Sequence, residues 1–194
     1  MQLNLMDPRM IAGAVVIVVL IIVLSIALYM RERRKTTAGL RKRFGPEYDR
    51  AVLEHGSAHK AEEKLADRET RVETLKIRDL GVTERERFLA EWLPVQSRFV
   101  DHPKTAVTEA DELVSSLMLA RGYPVTDFDQ RAADISVNHP RLVEYYRSAH
   151  GVAVRLGREE ASTEELRTAM IQYRSLFDDL VEIQAATGEI KAVA

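Results

Sequence analysis

The sequence predicts an all-α protein with one N-terminal transmembrane helix, a charged helical neck and a bundle of four to five helices. Three observations support this fold class. One long stretch carries no charge, the downstream apolar residues recur at three- and four-residue spacing, and helix-capping motifs are frequent while two-residue alternation is almost absent. The predicted segments are a tail at 1–9, a transmembrane helix at 10–30, a basic juxtamembrane linker at 31–43, a charged neck at 44–81, a bundle at 82–187 and a tail at 188–194.

The predicted membrane segment is the uncharged run of 21 residues from Met10 to Met30. At about 1.5 Å per residue, a helix of this length spans about 31 Å, which matches the hydrocarbon core of a bilayer. Its flanks are asymmetric, because Arg9 precedes it and seven basic residues follow it. The positive-inside rule therefore predicts a single-pass protein with its N-terminus outside and its C-terminal domain in the cytoplasm. The excess of 21 Arg over 7 Lys in the chain suits a GC-rich bacterial genome, so the predicted location is a bacterial inner membrane. These topology determinants are Arg31, Arg33, Arg34, Lys35, Arg41, Lys42 and Arg43.

A cleaved signal peptide covering residues 1–27 is the alternative, and it would make the rest of the chain an exported helical domain. The apolar run extends past that cleavage position, and the basic block after it resists export. We therefore favour the anchor. The basic block also suits contact with anionic lipid headgroups, whereas nucleic acid is disfavoured because residues 44–194 carry 20 Lys and Arg against 28 Asp and Glu.

The neck is predicted to be helical with a narrow apolar edge. A first helix opens at Pro46 and carries Tyr48, Val52 and Leu53 on one side before Gly56. The highly charged helix after it has Ala61, Leu65, Val72 and Leu75 on one stripe, which suits one buried edge or a short coiled-coil seam.

The bundle is predicted from capping boxes and apolar stripes. A first helix starts at the box Thr83–Glu86, is kinked by Pro94, and has an apolar face consisting of Phe88, Leu89, Trp92, Val95, Phe99 and Val100. The next opens at Pro103 and ends at Gly122. A short helix follows a box at 126–129, another starts at Asn138 with Pro140 and stops at Gly157, and the last starts at the box 162–165.

Motifs that would carry chemistry are missing from the sequence. The chain has no cysteine, which excludes disulfides, thiolate metal sites and a cysteine nucleophile, and no phosphate-binding, dinucleotide, zinc-protease or serine-hydrolase motif occurs. His150 suits either a core histidine or a general base. We therefore predict no catalytic, metal or cofactor-binding residue and no cofactor, and we favour an adaptor or scaffold over an enzyme.

The connection at residues 121–140 is the predicted recognition surface. It mixes aromatic, acidic and basic side chains between the strongest helices, where binding groups are often found. Plugging of the bundle end by its aromatic residues is the simpler interpretation. The candidate recognition residues are Arg121, Asp127, Asp129, Arg131 and His139.

The same stretch, RGYPVTDFDQRAADISVNHP, together with residues 43–49 (RFGPEYD) and residues 167–177, resembles an uncharacterised family of bacterial proteins. Many members have a single N-terminal membrane segment ahead of a helical domain. The resemblance therefore implies a membrane-anchored helical fold, and it brings no catalytic residues with it.

Two functions of different classes follow. The first is a membrane-anchored helical interaction protein that binds a protein partner, either another protein or a second copy of itself. The second is an enzyme or small-ligand-binding domain whose polar groups, such as Arg121, Asp134, His139 and His150, converge only in three dimensions. A deep pocket that collects these four side chains would favour the second.

Overall fold

A computed structural model of the chain describes residues 8–124, 126–156 and 160–182, and the side chains of residues 8–16, 29 and 32–35 lie outside that description. Every regular element in these ranges is an α-helix, which confirms the all-α fold class. The helices are α1 (Pro8–Phe44), α2 (Pro46–His55), α3 (Ala58–Thr74), α4 (Val82–Arg98), α5 (Pro103–Ala120), α6 (Phe128–Asn138), α7 (Val143–Leu156) and α8 (Thr163–Val181).

The chain divides into two compact units, and residues 1–42 form the first. Its backbone is a continuous helix from Pro8, so the predicted linker at 31–43 is helical rather than irregular. No proline interrupts the chain between Pro8 and Pro46, and Arg and Lys are good helix formers. Part of the predicted span, including the side chains of residues 10–16, lies outside the description. Within the part that is described, no helix combines the length and the apolar character needed to cross a bilayer.

Residues 43–194 form the second unit, which includes the predicted neck. The two neck helices α2 and α3 pack against each other, α3 also packs on α6, and α2 on α7. The boundary predicted at residue 81 therefore does not separate two units. Within the neck, Ala61, Leu65 and Val72 form the buried stripe of α3. Leu53 points to solvent, in contrast to its predicted place beside Tyr48.

Helix α4 starts slightly earlier than the sequence predicts. Its N-cap is Gly81, whose N–H donates to the Glu84 carboxylate at 3.0 Å, so Glu84 takes the role predicted for Glu86. The Glu84 carboxylate also accepts two hydrogen bonds of 2.7 Å from Arg78, which fixes this cap. The helix runs through Pro94 to Arg98.

The buried face of α4 is narrower than predicted. Phe88, Trp92 and Val95 are buried, whereas Leu89 and Val100 are exposed. The structure thus corrects the predicted apolar face, because only one side of the helix packs against α5 and α8.

The core of the second unit lies between α4, α5, α6, α7 and α8; α8 packs on α4, α5 and α7, and α6 packs on α7. Trp92 stacks on Phe177 with ring centroids 4.5 Å apart. The apolar residues that recur at three- and four-residue spacing along α5 and α8 predict one buried stripe on each helix, and the structure confirms it. These buried residues are Val107, Ala110, Leu113, Val114, Leu117, Met118, Leu166, Met170, Tyr173, Phe177 and Leu180.

Two helix boundaries around α6 differ from the predicted ones. Asp127, rather than Thr126, is the N-cap of α6, and its carboxylate accepts the Gln130 N–H at 2.9 Å. The sequence predicts a helix start at Asn138 with Pro140, whereas Asn138 is the last residue of α6 and His139 is its C-cap. The His139 carbonyl accepts the N–H groups of Leu142 and Val143, where α7 begins. The predicted stop at Gly157 lies outside the described residues.

The capping box of α8 is confirmed. Ser162 Oγ accepts the Glu165 N–H at 3.3 Å, and the Glu165 carboxylate accepts the Ser162 N–H at 2.8 Å. This box opens the last described helix of the second unit.

Candidate functional site

The five predicted recognition residues do not lie on one surface. Arg121 and His139 are buried, Arg131 is half-buried, and Asp127 and Asp129 are exposed. Sequence spacing places all five in one connection, but their side chains point in different directions from it.

Arg121 clamps two segments together. Its Nη1 donates to the carbonyl of Leu180 at 3.1 Å, its Nη2 to the Asp79 carboxylate at 3.1 Å, and its Nε to the carbonyl of Arg78 at 3.2 Å. The guanidinium therefore joins the extended segment before α4 to the end of α8. Since all three contacts are internal and the side chain is buried, Arg121 has a structural role.

The segment 76–81 lies directly against the turn that follows α5. Arg78 N–H donates to the carbonyl of Arg121 at 2.9 Å. Gly122 has φ +96°, and a Cβ placed there would collide with the backbone of Lys76. Glycine is therefore required for both its backbone conformation and this close approach. The sequence indicates the turn but gives no sign of its neighbour.

His139 is paired with Asp179 on α8. Its Nδ1 forms a short contact with the Asp179 carboxylate, and this hydrogen bond lowers the pKa of Asp179. Nearby, Asn138 donates to the Tyr123 hydroxyl at 3.3 Å. This part of the connection fastens α6 to α8, in agreement with the plugging interpretation.

A second polar cluster joins α5, α7 and α8. Asp111 Oδ1 accepts the Tyr173 hydroxyl at 2.7 Å and lies 3.3 Å from His150 Nδ1. The His150 ring stacks on Phe128 with centroids 3.7 Å apart and planes 8° apart. Burial tends to raise the pKa of Asp111, but the hydrogen bonds from His150 and Tyr173 outweigh it and lower that pKa. Burial raises the pKa of Tyr173, so this residue is a donor and not a phenolate.

Carboxylate-oriented imidazole is the arrangement of a general base, and the Asp111–His150 pair has that geometry. The four residues suggested for a convergent active site are instead engaged in four separate charge pairs. The pairs are Arg121 with Asp79, Asp134 with Arg71, His139 with Asp179, and His150 with Asp111. Within the described ranges, no group of three or more His, Asp or Glu side chains could hold a metal ion.

A third cluster centres on Glu47 of α2, which is buried. Its Oε1 accepts hydrogen bonds of 2.9 Å from both Arg68 and Arg147, and Arg147 lies 3.9 Å from the exposed Asp129. Two guanidinium groups compensate the buried carboxylate, as a buried charge requires. Glu47 and Arg147 are 100 residues apart, so no local pattern in the sequence indicates their pairing.

Two shallow cavities border these charges. One of about 440 Å³ lies between α2 and the start of α7 and includes Pro46, Val143 and Arg147. The other, of about 370 Å³, lies between α3 and the start of α6. It contains two of the candidate residues, Asp127 and Asp129, opposite cationic side chains of α3 that include Lys64 and Arg71. We call the second cavity the α3–α6 groove.

No family model matches the chain, and neither a curated protein nor a solved structure is similar to it at a significant level. The resemblance of residues 121–140 to the bacterial family stays a prediction. Function must therefore be argued from the residues themselves.

Proposed function

We propose that this chain is a membrane-anchored helical interaction protein, with residues 10–30 as a single-pass anchor and residues 43–194 as a cytoplasmic domain at the inner membrane of a bacterium. The observation that carries the proposal is the surface of α1. From Ile17 to Met30 its described large apolar side chains are exposed over about half of their area or more. An uninterrupted apolar surface of this size needs a nonpolar environment, and lipid is the one that matches its length.

The unequal numbers of basic residues on the two sides of the apolar run support the proposed orientation. Seven basic residues follow the apolar run, and their interaction with anionic headgroups would hold that end at the cytoplasmic face. A tether of this kind raises the effective concentration of partners at the membrane without any added contact.

The recognition role rests on the α3–α6 groove. Asp129 exposes 90% of its side chain at the edge of this groove, and its one ion pair within the described residues is the loose contact of 3.9 Å with Arg147. Charges of both signs line it, which suits a polar protein surface or peptide rather than an apolar small molecule.

Reporter fusions test the direction of the anchor. A C-terminal reporter that works only in the cytoplasm should be active, and one that requires export should be silent. A mature chain that lacks residues 1–27, or an active exported reporter, would refute the topology.

Lysine substitutions test the anchor itself. Val19→Lys/Ile22→Lys should move the chain from the membrane to the soluble fraction, because a charge at the centre of a span costs about 2.5–3.5 kcal/mol. The exposed control Leu53→Lys should stay in the membrane.

The recognition surface is tested by crosslinking pull-down from native membranes. Asp129→Lys should lose the captured partner while the domain keeps a cooperative melt, because the side chain is 90% exposed and its only pair among the described residues, with Arg147 at 3.9 Å, is loose. Glu112→Lys, an exposed charge reversal on α5, should capture normally. Equal capture by both variants would exclude the groove.

A further inference from the structure

The outward face of α4 carries an apolar stripe that the core does not use. Val82, Leu89, Leu93 and Val100 are 67%, 37%, 66% and 82% exposed. They are separated by seven, four and seven residues, so they fall on one line along the helix. Phe99 after the helix end keeps helical dihedrals, which carries the line to Val100.

Glu86 and Gln96 complete this line, and the order of its six residues is self-complementary. Read forwards the stripe is Val, Glu, Leu, Leu, Gln, Val, and read backwards it is Val, Gln, Leu, Leu, Glu, Val. Position 91 is the midpoint. An antiparallel second copy would therefore place Val82 against Val100, Glu86 against Gln96 and Leu89 against Leu93, each twice, as an isologous interface demands.

The polar layer is complementary in charge as well as in position. Arg174 of α8 lies beside Gln96 and donates to its Oε1 at 3.1 Å, which leaves the Gln96 amide N–H groups to donate outwards. The Glu86 carboxylate has no hydrogen bond or ion pair with another side chain in the described ranges. In the antiparallel pair, the Glu86 carboxylate of each copy would accept from Gln96 and face the Arg174 guanidinium of the other copy.

The flank of the stripe permits close approach. Thr83, Ala90 and Ser97 run beside it at seven-residue spacing and are exposed and small. Ile171, one turn before Arg174 on α8 and 61% exposed, adds apolar area on the other flank. Seven-residue periodicity with small flanking residues is typical of a packed helix pair.

We propose that α4 is a homodimerisation helix, which pairs antiparallel with α4 of a second copy about a two-fold axis at position 91. The inference goes beyond the proposed anchor, because it uses no residue of α1. Membrane retention and helix pairing are measured in separate experiments, so either proposal can be refuted without the other.

Cysteine crosslinking of the full chain in its host membrane tests the geometry, since the native chain has no cysteine. The double variant Val82→Cys/Val100→Cys should form covalent dimers on oxidation, and so should a mixture of the two single variants. Val82→Cys alone should remain monomeric, because residue 82 of one copy faces residue 100 of the other, which leaves the two introduced cysteines about 27 Å apart along the helix pair. Leu53→Cys, exposed on α2, should also remain monomeric.

Three outcomes would overturn the proposal. Dimers from Val82→Cys alone would indicate parallel pairing. A dimer yield from Leu53→Cys equal to that of the double variant would indicate random collision. The third outcome is the absence of dimers from the double variant. In the crosslinking background, Leu93→Glu should reduce dimer yield more than about tenfold, because two leucine contacts are lost from each pair.

A charge exchange tests the polar layer. Glu86→Lys should reduce the dimer yield about fivefold, because it places two lysines against two Arg174 side chains in each pair. Adding Gln96→Glu should restore the yield, since the new carboxylate faces the introduced lysine of the other copy and remains beside Arg174. Failure of the second substitution to rescue the first would refute the assigned layer.

Discussion

Asp111 shows how a half-buried carboxylate is kept ionised. The Tyr173 hydroxyl donates to its Oδ1, His150 lies within reach of the same oxygen, and both interactions favour the charged form. The pKa of Asp111 is therefore lower in the folded protein than in an unfolded chain, in which the pKa of an aspartate is about 3.9.

This difference predicts an acid dependence of stability. With a lowered folded pKa, the contribution of Asp111 to the free energy of unfolding is fully present above about pH 5 and is lost as the pH falls through the folded value. Asp111→Asn should therefore flatten urea-unfolding free energies between about pH 5 and pH 3, and Tyr173→Phe should do so in part. An unchanged acid profile for Asp111→Asn would contradict the assignment.

Two adjacent residues of α4, one buried and one exposed, give a second prediction. Trp92 is buried and stacked on Phe177, so Trp92→Ala should lower the free energy of unfolding by about 3–5 kcal/mol. Leu93 points to solvent in the single chain, and Leu93→Ala should cost under about 1 kcal/mol at protein concentrations too low for pairing. Urea titration of both variants measures the contrast, and equal losses would mean that the orientation of α4 is wrong.

At the scale of elements, the extended segment 76–81 connects parts of the chain that are distant in sequence. The clamp formed by Arg121 and the backbone pair between Arg78 and Arg121 fix this segment against the end of α5 and the end of α8. Gly122 makes that approach possible, because a side chain there would occupy the position of the Lys76 backbone.

A pair of glycine substitutions separates the two demands on Gly122. Gly56 also has a positive φ, but a Cβ there would meet open space. Gly56→Ala should cost about 1–2 kcal/mol from backbone strain alone. Gly122→Ala should cost a further 1–3 kcal/mol or so from the collision, as determined by urea unfolding. Similar losses at both positions would show that the segment 76–81 moves away freely.

At the scale of the whole molecule, the second compact unit contains its own core and its own charge network. Residues 43–194 include all of α2 to α8, and the buried cluster of Glu47 with Arg68 and Arg147 lies entirely within them. The unit is therefore large enough to fold without residues 1–42.

Deletion of residues 1–42 should leave a monodisperse, mostly helical protein with one cooperative thermal transition. Circular dichroism and scanning calorimetry test this expectation, and the Trp92→Ala variant of the same fragment should melt at a lower temperature. Absence of a cooperative transition in the unsubstituted fragment would contradict an independent fold.

Much of the helical architecture follows from local sequence. The box at Ser162 and Glu165 and the apolar stripes of α5 and α8 involve residues three or four apart, and the structure confirms them. Errors arose at boundaries where a nearby alternative competes. Gly81 caps α4 in place of Thr83, because Glu84 is held by Arg78 as well as by the Gly81 N–H.

The candidate site depended on distant parts of the chain. Spacing placed Arg121, His139 and Asp129 together, but Arg121 and His139 turn inward because their partners, Leu180 and Asp179, lie on α8. Glu47 binds Arg147, which lies 100 residues further along the chain, and no local sequence pattern predicts that pair.

By itself the sequence determined the helices, their caps and the uncharged run, because these depend on hydrogen bonds and side-chain spacing within a few residues. The tertiary structure alone decided which apolar residues of α4 are buried and which charged residues of the connection remain at the surface. Both choices depend on which helices pack against a given face, and that packing minimises exposed apolar area and unpaired buried charge over the whole domain rather than along a local segment.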